Sequence, residues 1–236
     1  YSGLAINSGQ SSAEGIEITL NTTPVQTADF NWDLSVNFAT LNKYVDFLAE
    51  GIETRVLDSW MSWYGLQTQE RVGEEWGVIV GRKKAKTADG TDILTSSGRP
   101  TWENNQILGN LLPDFTGGLT SQMRYKNWDL GLGFDFQAGG KFYSTSNMFS
   151  YYSGLHEDTV GLNDKGNPKR DSTSNGGGVH VTGVDASGNP VDTYMSASFY
   201  YYIHYFGNHE HWLYDASYVK LRTARLGYNF PKTALD

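Results

Sequence analysis

Four segments of the chain alternate between apolar and polar residues with a period of two. In the clearest segment, polar or glycine positions separate the apolar residues Trp128, Leu130, Leu132, Phe134, Phe136 and Ala138. The other three segments lie at 16–20, 30–38 and 115–125. Because successive side chains of a strand face opposite sides, this pattern predicts four strands, each with one apolar and one polar face.

A fifth segment, at 218–230, changes phase midway. Its second half alternates regularly, but Val219 and Leu221 fall in the opposite phase. A β-bulge near Thr223 would bring both halves onto one face by inserting an unpaired residue. Without a bulge, Val219 and Leu221 would face the polar side. The sequence leaves both arrangements open.

The connections between the predicted strands are very unequal in length. The strands are predicted near 13–23, 30–42, 115–126, 128–143 and 216–230. Two connections are short turns, whereas those at 43–113 and 144–213 are very long. Unstructured connections of more than ~15 residues are uncommon inside compact soluble domains. Short turns alternating with long loops are typical of outer-membrane barrels, so the pattern favours an all-β fold, an antiparallel transmembrane β-barrel segment with two very long extracellular loops.

Aromatic residues cluster beside the short turns. They are Phe30, Trp32, Tyr125, Trp128, Tyr228 and Phe230. If the short turns share one end of the sheet, these rings form a belt at one membrane interface, where amphipathic aromatic rings are favoured. The apolar faces of the four regular strands carry no charged residue. Because the inner faces of a soluble β-sandwich also exclude charge, a sandwich remains a second interpretation.

Composition narrows the possible classes of protein. The 236 residues carry a net charge of −8. This charge argues against a nucleic-acid partner, because a protein that binds duplex nucleic acid needs a basic surface. The sequence contains no Cys, so disulfides are excluded. No uninterrupted apolar stretch approaches the ~18 residues of a membrane-spanning helix. Five strands cannot close a membrane barrel, which needs ~8 or more, so we expect the remaining strands to lie outside this sequence.

Several residue strings resemble the C-terminal barrel region of the SusC/RagA family. They are GIEITL (15–20), DFNW (29–32), LPDFTGGL (112–119), DFQAGG (135–140), YDASYVKLR (214–222) and LGYNFP (226–231). These strings occur in the family's order across most of the chain, whereas the long connecting loops match poorly.

The resemblance implies a TonB-dependent transporter in the outer membrane of a Gram-negative bacterium of the Bacteroidetes type. Members of this family form 22-stranded barrels with an N-terminal plug domain, and they import oligosaccharides or peptides with energy relayed by TonB. By this resemblance the chain is part of the barrel wall, without the plug domain, the earlier strands and the final strands. The implied partners are the remaining segments of the barrel, a SusD-like surface lipoprotein, TonB through the missing N-terminal part, outer-membrane lipid and the imported oligosaccharide or peptide.

The long loops are rich in aromatic residues, for which two roles are open. The candidates for contact with the substrate or with a partner are Trp60, Trp63, Tyr64, Tyr151, Tyr152, Tyr200, Tyr201 and Tyr202. Aromatic rings bury large apolar areas and supply much of the binding energy of many interfaces. Alternatively, the same rings pack the loops against one another, because loops of this length need cores of their own.

The sequence offers little for metal binding or catalysis. His209 and His211 would share one face of a strand and, together with His204, suggest a metal site, but no second cluster completes a ligand set. The Asp/Asn–Gly stretches at 163–167 and 185–189 lack the acidic residue that ends an EF-hand loop and are interpreted as turns. Because no nucleophile elbow, catalytic triad or placed carboxylate pair is present, the sequence predicts no enzyme, no cofactor and no metal.

Two other functions remain open from the residues alone. The first is a secreted β-sandwich module that binds carbohydrate through its aromatic loops. The second is an enzyme fragment of a surface glycan system, which the missing acid/base pair disfavours. Solubility without detergent would favour either of them over a barrel segment.

Overall fold

The computed structural model describes residues 9–61 and 65–231, except for the side chains of 59–61. Within these residues the chain is mostly antiparallel β-structure, as the alternating pattern predicts. The strands are β1 (Gln10–Gln26), β2 (Phe30–Phe47), β3 (Thr54–Met61), β4 (Leu66–Arg71), β5 (Val78–Lys84), β6 (Trp102–Asn110), β7 (Phe115–Tyr125), β8 (Trp128–Ala138), β9 (Lys141–Tyr143), β10 (Val179–Val184), β11 (Pro190–Met195), β12 (Leu213–Asp215) and β13 (Tyr218–Tyr228). The α-helices are α1 (Thr145–Tyr152) and α2 (Ala197–Tyr201).

Five of the strands form one antiparallel sheet in the order β1-β2-β7-β8-β13. Each of them coincides with a segment of alternating residues, but β2 continues to Phe47, and β8 ends at Ala138 rather than near 143. The end of β8 has a local cause. Gly139 and Gly140 adopt φ values of +75° and +73°, which glycine tolerates and which turn the chain out of the strand.

Cross-strand pairing assembles one continuous apolar face on this sheet. One row of paired residues runs across all five strands and consists of Leu20, Val36, Leu119, Phe134 and Leu221. The adjacent row consists of Ile18, Phe38, Gly117, Phe136 and Val219. The glycine in the second row makes room for its neighbour, because a Cβ atom on Gly117 would lie 2.4 Å from atoms of the Phe136 ring.

A β-bulge at Arg222 sets the phase of the fifth strand. Leu221 pairs with Phe134, and Thr223 pairs with the preceding residue of β8, so Arg222 is the extra residue. Of the two arrangements that the sequence leaves open, the structure has the β-bulge. As a consequence, Val219 lies on the apolar face together with Leu221.

The two long connections contain elements of their own, which the alternating pattern did not predict. Residues 43–113 include the four-stranded sheet β3-β4-β5-β6, and residues 144–213 include the β10-β11 hairpin and both α-helices. These strands lack an alternating pattern because they are short and some are buried on both sides, as the run Val78, Ile79 and Val80 is. We call 43–113 and 144–213 together the loop layer.

The buried core lies in the loop layer rather than beneath the five-stranded sheet. Its larger cluster consists of Leu66, Ile79, Met148, Tyr151, Ala197, Tyr201, Phe206 and Trp212. Helix α1 contributes Met148 and Tyr151, which lie three residues apart and therefore on one face of the helix. A smaller cluster consists of Leu94, Val181, Val191 and Met195. Among the described helices, none has the length and apolar character needed to cross a membrane.

Candidate functional site: a two-faced sheet and an aromatic loop layer

The apolar face of the five-stranded sheet is uncovered. Its residues Ile18, Leu226 and Val219 are 56%, 69% and 75% exposed. Within residues 9–61 and 65–231, these five strands make their main contacts with one another, and neither buried cluster includes any of their residues. A β-sandwich would bury this face against a second sheet. The described residues supply no such cover, so the face is free to meet an apolar medium or another chain.

Aromatic rings form a row across the end of this face at which the short turns lie. The paired residues of the row are Phe30, Tyr125, Trp128 and Tyr228. The ring centroids of Trp128 and Tyr228 are 4.8 Å apart. The two short turns are neighbours, because the backbone N–H of Lys126 donates to the carbonyl of Asp29 at 2.8 Å. The short turns therefore share one end of the sheet, which is the condition for a single row of rings.

The opposite face of the sheet is polar and carries paired charges. Arg222 Nε donates to both carboxylate oxygens of Asp135, at 2.6 and 2.7 Å. Arg124 pairs with Asp129 at 3.1 Å, and Asn229 donates to the same carboxylate at 2.6 Å. Charge-assisted bonds of this kind are formed at little cost where water remains nearby. The two faces therefore suit different surroundings, one apolar and one aqueous.

Three of the predicted contact residues, Tyr151, Tyr200 and Tyr201, pack the loop layer instead of lying on its surface. Tyr151 and Tyr201 are 8% and 6% exposed, and Tyr200 packs half-buried against the same cluster. The Tyr151 hydroxyl donates to the Asp158 carboxylate, and burial together with this bond raises the pKa of Tyr151. The Tyr201 hydroxyl donates to the Asp158 carbonyl at 2.6 Å. For these three residues the contacts favour the packing interpretation.

Tyr152 and Tyr202 lie on the surface of the loop layer. They are 48% and 39% exposed, and with Phe149 they surround the buried ring of Phe206. We call Phe149, Tyr152 and Tyr202 the aromatic patch. Of the predicted contact residues with described side chains, Tyr152 and Tyr202 are therefore the most exposed.

The remaining predicted contact residues cannot be compared with the structure. The side chain of Trp60 and the whole of Trp63 and Tyr64 lie outside the described residues. Their proposed contact with a substrate or partner stays a prediction.

A cleft of about 310 Å³ opens beside the aromatic patch. Tyr152 lines one side of the cleft, and Arg170, Asp171 and Ser172 line another. Arg170 is fixed there because its Nε donates to the carbonyl of Thr159 at 3.2 Å. These groups can donate and accept hydrogen bonds with a polar ligand. Arg170 and its neighbours could not be found from the sequence, because they come from a polar segment without periodicity.

The three candidate histidines serve packing. His209 and His211 lie at a short 3₁₀ turn, so the predicted shared face of a strand is wrong. His204 Nε2 donates to the carbonyl of Gly98 at 2.8 Å, and His209 Nδ1 accepts the backbone N–H of Arg82 at 3.1 Å. Burial lowers the pKa of His204 and of His209 to about 4, which keeps both rings neutral. Among the described side chains, no group of three His, Asp or Glu residues is arranged so that it could hold a metal ion.

The two Asp/Asn–Gly stretches form turns, as interpreted from the sequence. The Asp185 carboxylate accepts the side-chain amide of Asn189 at 3.0 Å and the backbone N–H groups of Asn189 and Ser187 at 2.9 and 2.8 Å, and these bonds lower the pKa of Asp185. The Asn163 side chain accepts the N–H groups two and four residues further on. Their side-chain oxygens are thus occupied within each turn.

Comparison with known proteins gives relatives of one kind. No family model matches the chain. Two proteins of Formosa agariphila, named TonB-dependent receptor P3 and TonB-dependent receptor P26, are each 25% identical to it. The first match covers 100% of this chain and 24% of the relative, and the second covers 95% and 23%. The chain thus spans about a quarter of the length of the curated relatives it matches.

Solved structures of the RagAB peptide importer share the fold. The closed-closed state superposes with a TM-score of 0.60 at 17% identity, over 98% of this chain and 24% of that chain. The open-open state gives a TM-score of 0.56 at 17% identity, over 97% and 23%. At these identities the similarity is one of fold.

Sequence and fold point to the same class of protein. The relatives are named TonB-dependent receptors, and the fold is similar to that of about a quarter of the RagAB chain. The chain is thus similar in sequence to TonB-dependent receptors and in fold to part of the RagAB importer, so the SusC/RagA resemblance inferred from the residue strings is confirmed.

Proposed function

We propose that the chain forms part of the wall and of the extracellular loops of a TonB-dependent importer in the outer membrane of a Gram-negative bacterium of the Bacteroidetes type. The observation that carries the proposal is the continuous apolar face, which spans five strands and is uncovered in the described residues. Outer-membrane barrels present such a face to lipid, with aromatic rings at its border. The row of rings beside the short turns fits this border.

The edges of the sheet support a larger barrel. Strands β1 and β13 are the two edges of the five-stranded sheet, and each has a strand partner on one side. An unpaired backbone group in hydrocarbon costs several kcal/mol, so an open edge does not persist in a membrane. We assign the missing neighbours to the remaining segments of the same barrel, which the resemblance puts at 22 strands in all.

The polar face faces the interior of the barrel in this proposal. Water there screens and hydrates the pairs of Arg222 with Asp135 and of Arg124 with Asp129. The reverse orientation would put arginine side chains into lipid, which costs ~2–4 kcal/mol for each side chain near the midplane. The charges therefore favour one orientation of the sheet.

The loop layer lies at the end of the sheet opposite the short turns and is extracellular in this proposal. A SusD-like lipoprotein and an imported oligosaccharide or peptide would meet it, with the aromatic patch as the contact surface. RagAB, which shares the fold, is described as a peptide importer, and this supports a peptide among the two substrate classes.

TonB would act through the missing N-terminal part. No enzymatic step belongs to the proposal, and the reported relatives are named receptors and importers.

A matched pair of charge substitutions in the complete transporter tests the orientation of the sheet. Val36 lies on the apolar face and Asn37 on the polar face of β2. We expect Val36→Arg to destabilise the barrel by ~2–4 kcal/mol and to abolish outer-membrane assembly and uptake. Asn37→Arg should leave assembly intact, because its side chain points to water. Assembly is measured in membrane fractions by gel electrophoresis, because a folded barrel and a heat-denatured barrel migrate differently. Equal effects of the two substitutions would refute the proposal.

A further inference from the structure

His180 of β10 lies between two carboxylates from different parts of the loop layer. Its Nδ1 lies 2.8 Å from Asp164 Oδ2, and its Nε2 lies 2.8 Å from Asp192 Oδ1. Asp192 is on the neighbouring strand β11, whereas Asp164 is in the segment 161–168, which is remote from the hairpin in sequence. The imidazole therefore joins that segment to the β10-β11 hairpin.

Tyr194 strengthens this connection. It is the cross-strand partner of His180, and the two rings are stacked, with centroids 4.6 Å apart and planes at 5°. The Tyr194 hydroxyl donates to Asp164 at 2.6 Å, and the ammonium of Lys165 lies 3.5 Å from the centroid of the Tyr194 ring. Two residues of the segment 161–168 are thus held by two residues of the hairpin.

The geometry requires a particular charge state of His180. A neutral imidazole has one N–H and can donate to one of the two carboxylates, whereas an imidazolium donates to both. Deprotonation would leave one carboxylate oxygen facing an imidazole lone pair at 2.8 Å, so the contact at that nitrogen would repel while the other nitrogen still donates. We call Asp164, His180, Asp192 and Tyr194 the His180 latch.

We propose that the His180 latch is a pH-dependent device, which holds the segment 161–168 on the β10-β11 hairpin while His180 is protonated and releases it when His180 loses its proton. The proposal does not depend on transport, since it concerns contacts within the loop layer. The charged and titratable groups that face His180 are Asp164, Asp192, Tyr194 and, across the tyrosine ring, Lys165.

The direction of the pH dependence follows from these neighbours. The bond with Asp192 and the charges of both carboxylates raise the pKa of His180 above its ordinary value. A raised pKa in the folded state stabilises the latch fully below the unfolded value of ~6.5, and this stabilisation is lost as the pH rises through the folded pKa. The pKa of Asp164 is lowered, chiefly by the bond from Tyr194, so this carboxylate remains charged over the same range.

Release of the latch would act on the wall of the cleft. The segment 161–168 is followed, after one residue, by Arg170, Asp171 and Ser172, which line the cleft. Other bonds limit the movement, because the Asn163 amide donates to the carbonyls of Gly176 and Gly178 at 2.9 and 3.1 Å. The expected change is therefore a local opening of the segment 161–168, with the hairpin itself intact.

Hydrogen–deuterium exchange in the complete transporter tests the proposal. Peptides covering 161–168 are compared between the native protein and His180→Gln at the same pH, so the chemical effect of pH on exchange cancels in the ratio. At about pH 5.5, where the native latch is protonated, we expect the variant to exchange about two- to fivefold faster, the factor expected for an exposed ion pair. At about pH 8.5 the ratio should approach one. Asp185→Asn, at the tip of the same hairpin, is the matched control and should give a ratio of one throughout.

A ratio of exchange rates that does not change with pH would overturn the proposal. A constant ratio of one would show that His180 does not hold the segment, and a constant ratio above one would show a structural contact that does not depend on protonation. Asp192→Asn provides an independent readout if the glutamine variant fails to fold. Removing that carboxylate lowers the pKa of His180, so the pH at which the segment 161–168 opens should shift downward. An unchanged midpoint would also contradict the proposal.

Discussion

At the scale of single residues, Tyr151 and Tyr152 are adjacent in the chain but have opposite surroundings. Tyr151 packs among aromatic rings in the core of the loop layer, whereas Tyr152 presents its ring at the surface. A one-residue step along helix α1 rotates the side chain by about 100°, which separates the buried face from the exposed face. Of the two roles left open for the loop aromatics, packing is thus found at Tyr151, whereas contact with another molecule stays a prediction for Tyr152.

This difference predicts separable effects of substitution. Tyr151→Ala should cost about 3–5 kcal/mol of loop-layer stability, because it leaves a cavity and removes the bond to Asp158. Tyr152→Ala should cost less than about 1 kcal/mol and should instead weaken binding of substrate or lipoprotein. Thermal unfolding and binding by the complete transporter measure the two effects. Equal loss of stability in both variants would contradict the assignment.

The buried histidines predict that acid destabilises the loop layer. Burial holds the pKa of His204 and of His209 at about 4, well below the ordinary ~6.5. Because the unfolded chain takes up protons at a higher pH than the folded chain, stability is complete above the ordinary pKa and is lost as the pH falls towards 4. Amide exchange of β5 should therefore accelerate over this range in the complete transporter. His209→Gln should reduce the acid loss, and an identical loss in the variant would contradict the prediction.

At the scale of elements, the sequence predicted the strands whose two faces differ. Alternation identified β1, β2, β7, β8 and β13 because one side of each carries apolar residues and the other carries polar ones. It failed for β5, whose first residues are buried on both sides, and for β9, which two glycines separate from β8. Periodicity reports a contrast between faces, so it carries no signal where both faces have the same surroundings.

The candidate site was predictable only in part, for a similar reason. The aromatic residues of the loop layer were found from composition, but nothing in the sequence distinguishes the buried Tyr151 and Tyr201 from the exposed Tyr152 and Tyr202. Arg170 and His180 gave no signal, because their partners come from segments that approach each other only in the folded chain. Side-chain clusters of this kind depend on tertiary contacts.

The bulge in β13 predicts a strong effect of deleting one residue. Without Arg222 the first half of the strand would shift its register, turning Val219 to the polar face and Lys220 to the apolar face. A lysine on a lipid face costs up to ~2–4 kcal/mol, depending on its depth, so the deletion should prevent assembly in the outer membrane. Arg222→Ala keeps the bulge and should assemble. Assembly of the deletion variant at the level of Arg222→Ala would show that the register is unimportant.

At the scale of the whole molecule, the chain divides its apolar residues between two places. The loop layer buries its own core, whereas the five-stranded sheet leaves an apolar face uncovered in the part of the chain that the structure describes. A free-standing domain with this exposed face would aggregate. The chain spans about a quarter of the length of its curated relatives, and the proposal that its sheet is one part of a larger barrel accounts for this uncovered face.

The most direct test of this account is the environment of a spin label on β13 of the complete transporter in lipid vesicles. The chain contains no Cys, so Leu226→Cys and its neighbour Arg225→Cys introduce labelling sites on opposite faces. Collisions with oxygen, which concentrates in lipid, are compared with collisions with a water-soluble nickel chelate. The account predicts that oxygen dominates at Leu226 and nickel at Arg225. A label at Leu226 that is reached by nickel, or shielded from both reagents as it would be between two packed sheets, would contradict it.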